Sequence, residues 1–258
     1  MNKVVTYFLD VQGTLVRRDP ATLKSRLIGG REALRRIREV GKRVFILSNA
    51  PRLTEEVHKD LVSVGLDISL EEVITSAQVT GEYVLRKFGP SKLYVIGSDS
   101  FKAELAKYGH EAVDDGADVV VVGIDRQLTF EKLNKAFNML LSGAKLVAAG
   151  MSRFIPEEKP TISIGPIAMA LYYASGVRPI NTGKPSRIMY TYALIKARSY
   201  PEESAVVSDD LEDLVMARRM GMYTVLVLTG TTKKEDLERR GFKPDLVLEN
   251  VDELAKYI

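Results

Sequence analysis

The sequence predicts an α/β protein: a doubly wound parallel sheet interrupted by a smaller α/β insertion. Three observations predict it. Short β-branched runs alternate with amphipathic segments at both ends of the chain, a further set of such runs lies between them, and 258 residues suit one core plus an insertion of about a hundred residues.

In chain order, Val4 to Leu9 reads as a strand, Gly30 to Val40 as a helix, Arg43 to Leu47 as a strand and Thr54 to Val64 as a helix, which is a βαβα unit. The pattern returns with strand Ser204 to Val207, helix Asp213 to Met220, strand Thr224 to Leu228, helix Lys233 to Arg239, strand Leu246 to Leu248 and helix Val251 to Tyr257. Between these ends, Leu93 to Ile96, Val119 to Val122 and Leu146 to Ala149 read as strands. Phe101 to Lys107, Phe130 to Leu141 and Ile167 to Ala174 read as helices. The expected division is a core of residues 1–77 and 181–258 with an inserted domain of residues 78–180.

Composition excludes several classes. Hydrophobic residues make up 45% and charged residues 28%, the balance of an ordinary globular protein, and no apolar run approaches the roughly 18 residues of a membrane helix. A cytoplasmic protein without membrane contact is expected. With no cysteine and only His58 and His110, thiolate and multi-histidine metal sites are excluded, so any metal must rest on oxygen ligands. Both histidines are expected in surface or packing roles. The 37 basic and 34 acidic residues are interleaved, and the arginine doublets read as solvated helix faces, so nucleic acid is not an expected partner.

The chemistry lies at strand ends. The first strand runs into Asp10-Val11-Gln12-Gly13-Thr14-Leu15, a carboxylate at the carboxyl end of a buried strand followed by a turn glycine. Such an aspartate can attack phosphorus, and it can equally cap a turn. The second strand ends in Ser48-Asn49, a hydroxyl and backbone N–H groups able to hold phosphate oxygens or simply to cap a helix.

Asn181-Thr182-Gly183-Lys184-Pro185-Ser186 places a lysine before a helix; Arg178 and Pro185 exclude a nucleotide-binding P-loop. Ala205 to Asp213 brings four acids within five residues to a strand end and helix start. Such a cluster suits a magnesium ion shared between Asp209 and Asp10, whereas helix N-terminal preference alone accounts for Glu212 and can account for Asp213.

In this order the motifs resemble the haloacid dehalogenase superfamily. The insertion resembles the cap of its NagD-like, class IIA branch through Val121-Val122-Gly123-Ile124-Asp125, Thr129-Phe130-Glu131-Lys132-Leu133, Ser142-Gly143-Ala144-Lys145 and Gly183-Lys184-Pro185. Gly221-Met222, Leu228-Thr229-Gly230 and Lys243-Pro244-Asp245 extend the likeness to the C-terminus. The resemblance implies a Rossmann-like core with a cap, and a Mg²⁺-dependent phosphatase acting on a small phosphorylated metabolite through an aspartyl-phosphate. Asp10 is then the nucleophile, Ser48, Asn49 and Lys184 hold the phosphoryl group, and Asp10, the Gln12 carbonyl, Asp209 and Asp213 make the metal site.

Gln12 departs from the family pattern, which has an acid/base aspartate there. Its amide can neither protonate a leaving group nor activate water, a loss of about 10² to 10⁴ in rate. The resemblance therefore leaves an alternative: a degenerate relative that binds or senses a phosphorylated ligand. A dehalogenase reading is disfavoured by Asp209 and the cap type. Ser208, Gly150 and Ser152 also depart from the pattern. In the insertion, Asp125, Ser152 and Arg153 are candidates to face substrate. The stripe Met169, Leu171, Tyr172 and Tyr173 is expected to pack against the insertion, with part of it available to a homodimer.

Overall fold

The structure is a computed structural model that describes residues 3–22 and 24–258. The chain divides into two compact units, one of residues 1–48, 58–74 and 190–258 and the other of residues 49–57 and 75–189.

The first unit is built on a six-stranded sheet in the order Leu246–Leu248, Tyr223–Val227, Ser204–Ser208, Thr6–Asp10, Arg43–Ser48, Val73–Thr75. Thr6–Asp10 is central, parallel to both of its neighbours and buried along its length. That is the environment that β-branched and aromatic residues fill best, here with Thr6, Tyr7 and Phe8. Helix Arg31–Glu39 buries Ala33, Leu34 and Ile37, an i, i+1, i+4 stripe. Its start is capped from far away: Asp252 Oδ1 accepts from the backbone N–H groups of Gly30, Glu32 and Ala33 at 2.9, 3.0 and 3.2 Å. A carboxylate there satisfies orphan donors and complements the positive helix end.

The second unit has a five-stranded sheet, Ile180–Asn181, Lys145–Ala148, Val119–Val122, Lys92–Ile96, Glu111–Ala112, with every pairing parallel. Its middle strand is four consecutive buried valines. Around it pack Phe101, Leu105, Met139, Leu140, Ala168 and Leu171.

Most expected strands lie within two residues of the observed ones, so the α/β class stands. Helix Ser76–Phe88, the antiparallel hairpins Val16–Arg18/Ser25–Leu27 and Phe154–Ile155/Thr161–Ile162, and strand Val73–Thr75 were not expected. The expected start of the insertion at residue 78 falls in the first turn of helix Ser76–Phe88. There the Thr75 hydroxyl accepts from Gln78 N at 3.2 Å, closing a capping box. The last helical segment, Val251–Lys256, is 3₁₀ rather than α.

The Met169 to Tyr173 stripe needs correction. Helix Ile164–Ser175 buries Ile164, Gly165, Ala168 and Leu171, while Met169 and Tyr173 are exposed. At about 100° per residue, positions 169 and 171 point to opposite sides, so the stripe was never one face. Among the described residues, no helix is long and apolar enough to cross a membrane.

Candidate functional site

Three strand ends converge at one edge of the first unit's sheet. Leu9 is in register with Val207, and Asp10 with Leu47, so Asp10, Ser48 and Ser208-Asp209 leave the sheet within a residue of one another. This carboxyl edge is where open parallel sheets bind ligands. Asp10, Ser48, Asp209 and Asp213 are all buried there, an arrangement that needs compensation for its negative charge.

The chain turns sharply after Asp10. Leu15 N and Val16 N both donate to Val11 O, and Gly13 N donates to Val16 O at 2.9 Å; the turn holds Gly13 at φ 78°, where a side chain would be strained. Gln12 rides on this turn with its side chain exposed. Its side chain cannot act as an acid or base, and its backbone carbonyl keeps the oxygen that a cation could use.

Asp209 is held tightly. Its Oδ2 accepts from Thr231 N at 2.7 Å and from Thr231 Oγ1 at 3.1 Å. A Cβ on Gly230 would lie 1.8 Å from that oxygen, and one on Gly13 2.4 Å from it, so both backbones approach the carboxylate as only glycine allows. Thr229 Oγ1 in turn donates to Gly13 O at 2.5 Å, tying the Thr229–Thr231 loop to the turn after Asp10. Asp210 caps helix Leu211–Arg219 through Glu212 N at 2.9 Å, and Asp213 in its first turn accepts from Ser208 Oγ at 3.2 Å.

Tyr190 was not expected in this neighbourhood. Its side chain is fully buried, and burial together with the carboxylates of Asp213, Asp10 and Asp210 pushes the phenol well above its ordinary pKa.

The second unit holds the remaining candidates. Asn49 and Lys184 are joined reciprocally: Lys184 N donates to Asn49 Oδ1 at 2.7 Å, and Asn49 Nδ2 donates to Lys184 O at 3.1 Å. The Asn49 side chain is thereby engaged in shaping the Gly183–Lys184 turn, where a Cβ on Gly183 would lie 2.6 Å from Ala149 O. Lys184 itself is buried. Asp125 closes its own loop, accepting from Gln127 N at 2.8 Å and Lys132 Nζ at 2.6 Å, while Ser152 and Arg153 are exposed. In the first unit His58 Nε2 bonds Ile68 O at 2.9 Å, and in the second buried His110 accepts at Nδ1 from Ser91 N and donates from Nε2 to Gly81 O.

Among the described residues, no three His, Cys, Asp or Glu side chains are arranged to hold a metal by themselves. The chemistry of the donors nevertheless fits a hard cation: Asp10, Asp209 and Asp213 offer buried oxygens, and the glycine cradle admits nothing bulkier beside Asp209. Mg²⁺ is commonly held by one or two carboxylates, with water completing its shell.

The family description "Haloacid dehalogenase-like hydrolase" matches residues 7–111, and a related HAD-hydrolase-like description matches residues 181–254. Among solved structures, a 4-nitrophenylphosphatase from Thermotoga maritima is 32% identical with a TM-score of 0.90, over 99% of this chain and 97% of that one. Among curated proteins, the sugar-phosphatase AraL of Bacillus subtilis is 28% identical over 96% of this chain and 91% of its own length. The ribonucleotide monophosphatase NagD of Escherichia coli is 28% identical over 95% of this chain and 96% of its own length.

Proposed function

The chain belongs to the haloacid dehalogenase-like hydrolases, in the NagD-like class IIA branch, and is a phosphoric monoester hydrolase; from that premise we propose that it is a Mg²⁺-dependent phosphatase of small phosphorylated metabolites. The observation that carries this reading is the meeting of Asp10 with Ser48 and Asp209 at one sheet edge. The relatives, named as phosphatases of sugars, ribonucleotides and 4-nitrophenyl phosphate, support a small substrate.

In this reading an Asp10 carboxylate oxygen attacks phosphorus, the bond to the leaving oxygen breaks, and an aspartyl-phosphate forms. Water then attacks that phosphorus and restores the carboxylate. Ser48, the Asn49 N–H and Lys184 hold the phosphoryl oxygens, and Asn49 also sets the Lys184 backbone through its side chain. Asp10, the Gln12 carbonyl and Asp209 would ligate Mg²⁺, with Asp213 orienting the shell. The cation would neutralise charge on the transferring group. We assign residues 78–180 as the cap that sets specificity, with Ser152 and Arg153 exposed for substrate and Asp125 shaping the loop.

Gln12 weakens the acid/base half of the reaction. Aryl phosphates need little protonation of the leaving group, so the first step survives while water attack slows. The same residue supports a second reading, a degenerate homologue that binds a phosphorylated ligand without turnover.

Release of p-nitrophenol and of phosphate from p-nitrophenyl phosphate, each followed with and without Mg²⁺, separates the two. The phosphatase reading expects a p-nitrophenol burst followed by slow, steady Mg²⁺-dependent release of both products by the wild-type chain, and neither by Asp10→Asn. A single burst of p-nitrophenol from wild type with no phosphate following, and turnover restored in Gln12→Asp, favours the binding reading.

A further inference from the structure

We propose that Thr231 is a positioning residue for Asp209, fixing one carboxylate oxygen so that the other faces a divalent cation. The proposal rests on the Mg²⁺ reading above. A carboxylate has two oxygens that exchange by rotation about its last torsion, and a cation site needs one of them held in place. Here the backbone N–H and the hydroxyl of Thr231 both donate to Oδ2, at 2.7 and 3.1 Å, and the hydroxyl also lies 3.4 Å from the Asp209 carbonyl oxygen. The carboxylate is buried between the backbones of Gly13 and Gly230, which leaves it little room to turn.

The clamp extends further. Thr229 holds the Gly13 carbonyl, and the Arg17 guanidinium donates to the Thr229 carbonyl at 2.5 Å. The turn that follows Asp10 and the loop that grips Asp209 are thus one hydrogen-bonded assembly, which fixes the separation of the two carboxylates a cation would bridge. Hydrogen-bond partners of metal ligands commonly carry 10- to 100-fold in metal affinity.

Thr231 is exposed, so changing it does not empty the core. Thr231→Val keeps the backbone N–H and the side-chain shape but removes the hydroxyl; Thr231→Ser keeps the hydroxyl. The test is calorimetric titration of the full chain with Mg²⁺ in the absence of substrate, alongside the melting temperature without Mg²⁺. The expected result is Mg²⁺ affinity about tenfold weaker in Thr231→Val, wild-type affinity in Thr231→Ser, and melting temperatures alike. Wild-type affinity in Thr231→Val overturns the positioning role while leaving the Mg²⁺ reading intact, as does equal weakening in both variants. A wild-type chain that takes up no Mg²⁺ overturns the metal reading itself and this inference with it.

Discussion

Both units are built on parallel sheets, and they differ in what their strands release at the carboxyl ends. In the first unit the strands end on Asp10, Ser48 and Ser208-Asp209, buried polar groups that cost free energy to collect. In the second, Ile96 runs into Gly97 and Val122 into Gly123, and the ring of Phe101 fills the space. A Cβ on either glycine would come within 2.7 Å of that ring. At these two strands the second edge is closed with an aromatic plug, whereas the first is lined with carboxylates. The parallel architecture supplies an edge, and the residues placed on it decide whether it packs or reacts.

The largest effect is expected at the plug. Phe101→Ala removes a fully buried ring and should cost about 3 to 5 kcal/mol of the second unit's stability. Hydrogen exchange checks it: the amides of Val119–Val122 should lose protection while those of Thr6–Asp10 keep theirs. Unchanged exchange at Val119–Val122 would mean the edge is not held by that ring.

A smaller effect sharpens the contrast within the first sheet, at the other end of the strand that carries Asp10. Among the described residues the buried Tyr7 hydroxyl has no hydrogen-bond partner, and burial, with Tyr223 nearby, raises its pKa to about 12 from an ordinary 10.0. Because the folded pKa is the higher one, the stabilisation is complete below pH 10.0 and is lost as pH rises towards about 12. Tyr7→Phe should remove that alkaline decline and change stability at neutral pH by less than about 1 kcal/mol. Denaturant midpoints measured across this range decide it, and an unchanged alkaline slope would place the titrating group elsewhere.

Much of this was legible in the sequence. The strand ends bearing Asp10, Ser48 and Asp209 were readable because each buried strand is a short β-branched or aromatic run followed by a polar break. Helix Ser76–Phe88 was missed because its opening, Ser-Ala-Gln-Val-Thr-Gly, shows no clear apolar stripe; the Thr75 and Gln78 capping box was the available signal. The short hairpins carry too few residues for periodicity to register.

The contacts that hold the site in place were not legible at all. Asn49 grips Lys184 across 135 positions, and Asp209 meets Thr231 across 22, distances at which no local pattern pairs residues. Asp125 reads as a loop residue free for substrate, and only the fold shows its carboxylate committed to Lys132 and Gln127.

If the first unit's sheet edge performs the chemistry, Asp10 is the group that carries the phosphoryl intermediate. The most direct test is acid quenching of the wild-type chain during reaction with p-nitrophenyl phosphate and Mg²⁺, followed by peptide mass spectrometry. One phosphoryl group is expected on the peptide at Asp10, accumulating because Gln12 slows its hydrolysis and absent in Asp10→Asn. A phosphoryl group on another residue, or steady turnover with unmodified Asp10 at every quench time, would contradict it.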